Sequence, residues 1–226
     1  MPTPSENLDI VRSRIASAAT RAGRNPAEVE LVAISKTYPA ELVREAAEAG
    51  QELFGESRVQ EALVKIPELP GRLRWHFIGH LQANKVRKAL PLFELIHGVD
   101  TMGIARDIDR IAAELGLHPR VLLEVNVSGE GSKHGFKPEA LERGLEDLLA
   151  LPRLQVEGFM TMAPLAEEAE ASRPCFAALR TLRDRLSAQA GIPLPTLSMG
   201  MSGDYEVAVE EGATLVRVGS AIFGSR

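Results

Sequence analysis

Short apolar runs alternate along the chain with longer stretches in which apolar residues recur every three or four positions. The runs cover residues 31–35, 53–55, 75–79, 95–99, 121–127, 155–162, 196–199 and 214–218. They are brief and rich in Val, Ile and Leu, the pattern of strands buried on both faces of a parallel sheet. Between them, Leu8, Val11, Ile15, Ala18 and Ala22 step at helical spacing, as do Ile104, Ile108, Ile111 and Leu115, and then Phe176, Leu179, Leu182 and Leu186. Each set makes one apolar stripe that must pack on something. Gly50, Gly116 and Gly191 stand where helices should stop, because glycine takes the left-handed terminal conformation without a Cβ penalty.

Eight strands alternating with helices in a chain of 226 residues predict an α/β fold, a single (β/α)8 TIM-like barrel forming one domain over residues 1–226. No Gly-x-Gly-x-x-Gly follows the first strand, which counts against an open doubly wound sheet. A helix is expected at about residues 5–22, before the first strand, while little sequence follows the last one. First and last strands are neighbours in a closed barrel, so this additional N-terminal helix is expected to take the place of the eighth.

Composition narrows the function. The chain is 45% hydrophobic and 25% charged, enough to bury a full core, and a formal charge of −5 argues against a nucleic-acid surface. No run is long enough to cross a membrane, and residues 1–7 show neither a basic nor an apolar leader segment. The single cysteine, Cys175, allows no intrachain disulfide. These features point to the cytoplasm.

Barrel sites form at the C-terminal ends of strands, and Lys36 ends the first run. An ammonium at the mouth of a buried strand is poorly solvated, which favours the neutral amine, a nucleophile that makes Schiff bases with aldehydes, pyridoxal phosphate included. The plain alternative is a solvated lysine capping the strand. After the seventh run, Gly200 and Gly203 allow close backbone approach, Met201 sits between them, and Ser202 is expected as an N-cap whose neighbouring amides are free for an anion. Gly219 and Ser220 form a second anion-capable loop at the adjacent strand end. An ordinary capped βα loop is the competing reading for each. Arg217 is suited either to a structural ion pair or to a cofactor ring nitrogen. Asn126, Ser128 and Met162 complete the strand-end residues, and Lys133, in a Gly-rich polar loop, is the competing lysine. His76 and His80 have zinc-like spacing, but His76 is on a strand, so about 13 Å of extended chain separates them. With no third histidine or cysteine nearby in sequence, no metal is assigned, and His80 is placed at the mouth after the third strand.

The motifs Leu31-Val-Ala-Ile-Ser-Lys-Thr37, Phe54-Gly-Glu56, Trp75-His-Phe-Ile-Gly-His-Leu-Gln82, Val125-Asn-Val127, Met199-Gly-Met-Ser202 and Val216-Arg-Val-Gly-Ser-Ala-Ile-Phe-Gly224 occur in one order along the chain. On these it closely resembles the pyridoxal phosphate homeostasis protein family. The resemblance implies the barrel of alanine racemase, with pyridoxal 5'-phosphate as cofactor joined to Lys36 as a reversible Schiff base. It implies further that Ser202, Gly219 and Ser220 hold the phosphate and that Arg217 faces the pyridine nitrogen, with Ser57, His80 and Met201 as further contacts. Ser57 stands where the family often has asparagine. The implied role is non-catalytic: carrying and buffering the cofactor in vitamin B6 homeostasis, with apo pyridoxal phosphate enzymes as partners and a monomer or weak dimer as the assembly. A pyridoxal phosphate-dependent amino-acid racemase is the enzymatic alternative. A cofactor-free Schiff-base aldolase acting on a sugar phosphate is a third reading.

Overall fold

The computed structural model describes residues 3–131 and 134–224. Eight parallel strands close into a barrel in chain order, and the last pairs back to the first. The order runs α1 (Pro4–Arg21), β1 (Glu30–Ile34), α2 (Ala40–Glu48), β2 (Leu53–Glu56), α3 (Val59–Lys65), β3 (Arg74–Phe77), α4 (Val86–Ala89) and β4 (Leu95–Val99). It continues α5 (Met102–Leu115), β5 (Arg120–Glu124), α6 (Pro138–Leu149), β6 (Gln155–Met160), α7 (Arg173–Ala190), β7 (Thr196–Ser198), α8 (Tyr205–Glu210), β8 (Leu215–Val218) and α9 (Ser220–Phe223). The (β/α)8 expectation therefore stands. Among the described residues no helix is long and apolar enough to cross a membrane.

Strand alternation sorts the core into two layers. Val32 and Ile34 join Leu53, Leu95, Leu122, Met160 and Leu215 in a cluster inside the barrel. Leu31 and Ala33, between them in sequence, join the larger cluster beneath the helices. The stripe of α5, Ile104, Ile108 and Ile111, is buried in that outer layer, each side chain contributing roughly 1.5–3 kcal/mol on full burial. Gly116 and Gly191 end α5 and α7 in the left-handed conformation, at φ of 69° and 65°.

α1 starts at a reciprocal capping box, with Thr3 and Glu6 each satisfying the other's backbone amide. Its stripe of Leu8, Val11, Ile15 and Ala18 is buried, and the helix packs on α8, α9 and α2. Asn7 Nδ2 donates to the Ile222 carbonyl at 2.8 Å. The N-terminal helix thus stands in the outer layer between α8 and α2, as the barrel arithmetic requires.

Several strands are shorter than their apolar runs. β5 and β6 stop at Glu124 and Met160, short of residues 127 and 162. Beyond Glu124 the chain bends away: Val125 makes one bridge to Phe136, and Asn126 Oδ1 accepts from the Ser128 hydroxyl and the Gly129 amide. A side chain that satisfies its own loop competes with the sheet for backbone partners.

Candidate functional site

A cavity of about 740 Å³ opens at the C-terminal ends of the strands. Lys36, Ser57, His80 and Met201 line it together with Ser202, Arg217, Gly219 and Ser220. Lys36 and Ser220, 184 positions apart in sequence, meet there because the barrel brings every strand end to one mouth. Asn126 and Ser128 instead hold their own loop. Gly200 serves packing rather than a ligand: at φ 92°, a Cβ there would lie 2.5 Å from Ala208 Cβ of α8. Lys133 lies outside the described residues.

Lys36 is half-buried in the turn that follows β1. The next residue, Thr37, has φ 67°, an uncommon and strained conformation for a β-branched side chain. Its amide donates to Glu61 Oε1 at 2.5 Å, and the Tyr38 amide closes the turn onto the Ser35 carbonyl at 3.1 Å. Lys65, only 7% exposed, supports this arrangement from below. Its Nζ donates to the Ser35 carbonyl at 2.8 Å, to Glu56 Oε1 at 2.7 Å and to Glu61 Oε1 at 2.8 Å. Burial raises the Glu56 pKa against the pull of Lys65 and Ser35, and Glu56 Oε2 has no hydrogen-bond partner. For Glu61, burial alone would act upward, but hydrogen bonds from Lys65 and the Thr37 amide bring its pKa below the usual value.

The expected N-cap role of Ser202 is corrected. The helix that follows begins at Tyr205 with Asp204 at its N-cap position, and Asp204 Oδ1 accepts from the Met201 amide. Ser202 Oγ turns to the neighbouring loop, accepting from the Gly219 amide at 3.1 Å and the Ala221 amide at 3.3 Å. Those two amides are therefore paired rather than free. With both lone pairs engaged, the hydroxyl keeps one proton to donate, and Ser202 lines the cavity.

Arg217 is buried, and Nη1 donates to Ser198 Oγ at 2.6 Å while Nη2 donates to the Thr161 carbonyl at 2.9 Å. Burial pushes its pKa down to about 10, opposed by Glu124 and Asp204, so it is a cation at neutral pH. Behind it runs a chain of polar groups through the barrel interior: Ser198 Oγ to His97 Nδ1 at 2.9 Å, then His97 Nε2 to His76 Nδ1 at 3.0 Å. Burial holds both imidazoles neutral, His76 down to about 3 and His97 well below its ordinary value. The assignment that also gives the Ser198 proton a partner has Ser198 donating to His97 and His97 donating to His76. His76 Nε2 then carries a proton with no partner.

Three lining or neighbouring groups were not singled out from sequence. Glu124, a buried carboxyl on the cavity wall, has its pKa raised by burial and by Asp100. Asp100 accepts from His80 Nδ1 at 2.8 Å, and His134 Nδ1 lies 3.7 Å from the same oxygen. A third histidine does therefore reach His80, from a loop more than fifty residues away. The available signal was an acid closing an apolar run, as in Val121-Leu-Leu-Glu124 and Val99-Asp100, where a charge has no structural reason to be.

The family described as alanine racemase, N-terminal domain, matches residues 7–226. The pyridoxal phosphate homeostasis protein of Aquifex aeolicus is 46% identical over 222 residues, covering 98% of this chain and 97% of that protein. Its counterpart in Pseudomonas aeruginosa is 47% identical over 228 residues, covering 100% and 97%. PipY of Synechococcus elongatus PCC7942, solved with PLP bound, is 44% identical with a TM-score of 0.83, covering 93% of this chain and 100% of that one. Alanine racemase of Clostridium difficile 630, at 17% identity and a TM-score of 0.74, shares the fold over 97% of this chain and 57% of its own length.

Proposed function

The chain belongs to the alanine racemase N-terminal domain family and, within it, to the pyridoxal phosphate homeostasis proteins, and from that premise we propose that it binds pyridoxal 5'-phosphate at the strand-end cavity and carries or buffers it. The observation that carries this reading is one cavity holding Lys36, the Ser202 hydroxyl with its proton uncommitted to either loop amide, and the buried cation of Arg217. The residues fit the group: an amine for an aldehyde, the Ser202 and Ser220 hydroxyls for a phosphate, with Gly219 leaving room beside them while its amide is paired to Ser202, and a donor-only guanidinium for a ring nitrogen. When bound, the cofactor would supply an electrophilic aldehyde carbon, and Lys36 is the residue that would hold it through its amine. Ser57, His80 and Met201 complete the walls. Arg217 cannot accept a proton, so it leaves a ring nitrogen beside it unprotonated and less able to draw electrons.

The same residues support a non-catalytic role. Tyr38 lies at the cavity, but its hydroxyl donates to the Gly224 carbonyl at 2.5 Å, and Tyr205 is buried. Neither tyrosine of the chain is poised as an opposing acid. Large exposed apolar side chains among the described residues are scattered over α1, α3 and two loops, which supports a monomer or weak dimer. The single cysteine suits the reducing cytoplasm. Apo pyridoxal phosphate enzymes would be the recipients.

Borohydride reduction and peptide mapping test the site: the pyridoxyl label should sit on the Lys36 peptide and vanish in Lys36→Ala. A label mainly on Lys133 overturns the assignment. A paired assay tests the role, following reactivation of an apo-enzyme and chiral turnover of amino acids on one preparation. One observation favours an enzymatic reading: Glu124 is a lining carboxyl with a raised pKa, as proton-transfer groups often are. Robust turnover abolished by Lys36→Ala and by Glu124→Gln would establish it over the carrier.

A further inference from the structure

We propose that His80, Asp100 and His134 form a binding site for a divalent cation of the zinc type at the rim of the cavity. One ligand atom from each of the three lies within 4.8 Å of the other two. They come from three different strand-end loops, after β3, β4 and β5, so the barrel and not local sequence assembles them. Two imidazoles and one carboxylate suit Zn²⁺, Co²⁺ or Ni²⁺, whereas Mg²⁺ and Ca²⁺ prefer oxygen alone.

A second observation, of charge, points the same way. Asp100 is 5% exposed, and a buried carboxylate is costly without a compensating cation. Among the described residues its ion-pair partners are the two histidines and no lysine or arginine. Glu124 adds a second acidic group close enough for Asp100 to raise its pKa, one that already faces the Arg217 cation. A bound cation would compensate Asp100 directly.

The 2.8 Å contact between His80 Nδ1 and Asp100 Oδ2 is a hydrogen bond, which an ion bound to both atoms would replace. The two rings stack at 4.6 Å and 22°. Convergence on one ion thus requires His134 to turn, and its side chain is 62% exposed. With His80 and His134 both lining the cavity, the positions left open on the ion face that space and would hold water. The ion would tie the β5 loop to β3 and β4 across the mouth.

The test uses the whole chain, stripped with a chelator and free of any aldehyde, so it is independent of the cofactor reading. Co²⁺ is titrated in while its visible absorption is followed, and Zn²⁺ is then added to displace it. Losing even a second-layer partner costs metal sites roughly 10–100-fold in affinity, so His134→Gln and Asp100→Asn should each weaken Co²⁺ by at least tenfold. His134 is exposed, and its variant should keep the wild-type melting temperature without metal. No saturable Co²⁺ signal, or equal affinity in wild type and His134→Gln, overturns the proposal.

Discussion

Replacing Lys65 by methionine isolates the support beneath the Lys36 turn. Methionine keeps most of the length and packing of the stem and removes the ammonium. Three acceptors then lose their donor: the Ser35 carbonyl, Glu56 and Glu61. Glu56 is fully buried and already has one unpartnered oxygen. Removing one partner of a buried ion pair typically costs about 3–5 kcal/mol. For a chain of this size, that is a fall of roughly 6–20 °C in melting temperature. The loss should depend on pH in a definite direction. Burial has already raised the Glu56 pKa, and Lys65 is the leading opposing influence. Without Lys65 the folded-state pKa rises further above the unfolded value. Between those two values the folded state holds the extra proton, so the variant regains stability as pH falls. Urea unfolding at pH 7 and pH 5 should therefore show a large gap from wild type that narrows at the lower pH. A second readout is functional: with Glu61 no longer held, the Thr37 amide and the Lys36 turn loosen, and borohydride labelling of Lys36 should fall. A gap below about 1 kcal/mol, or one of equal size at both pH values, refutes the reasoning.

Ser202→Ala removes the hydroxyl donor and should weaken pyridoxal phosphate by about 1.5–3 kcal/mol in a binding titration while barely changing affinity for unphosphorylated pyridoxal; equal losses would put the phosphate elsewhere. His76→Gln should be less stable than wild type at pH 7, with the gap closing as pH falls from about 6.5 toward 3. Wild-type His76 stays neutral when folded, at a pKa of about 3, but takes a proton when unfolded, a slope that the variant lacks and that parallel denaturant curves will expose. Gly158→Ala should lower the unfolding free energy measured in urea by about 1–3 kcal/mol, because a Cβ there would meet the Thr196 carbonyl oxygen at 1.9 Å and φ is 153°.

The barrel was legible because its information is local and repetitive. The apolar run at 31–35 and the stripe of α5 each report their own burial, and counting them yields the closed sheet. Lys36, Arg217 and the loop at 219–220 were legible by a topological rule, since strand ends converge at one mouth. Hydrogen-bond direction was not. Ser202 looks like a helix cap from its neighbours, but the two amides it serves belong to a loop 17 and 19 positions away, and no local pattern encodes that. His97 and Ser198, joined across 101 positions, are equally silent in sequence. Lys65 reads there as one more charge on an amphipathic helix, and only the packing of α3 against β2 shows that it is buried among acids.

The β1–β8 seam carries a consequence for how the molecule is made. Leu31 pairs with Val216, and α1 packs on α8 and α9, so one side of the first helix and strand finds its neighbours among the last elements. During synthesis the stripe of α1 and the inner edge of β1 emerge long before those partners exist. Loop closure over such distances is slow, and exposed apolar surface meanwhile invites association. A ribosome-bound chain ending before β7 would hold the β1 half of the seam open, a natural point of engagement for chaperones, and closure of the ring would be among the last folding events.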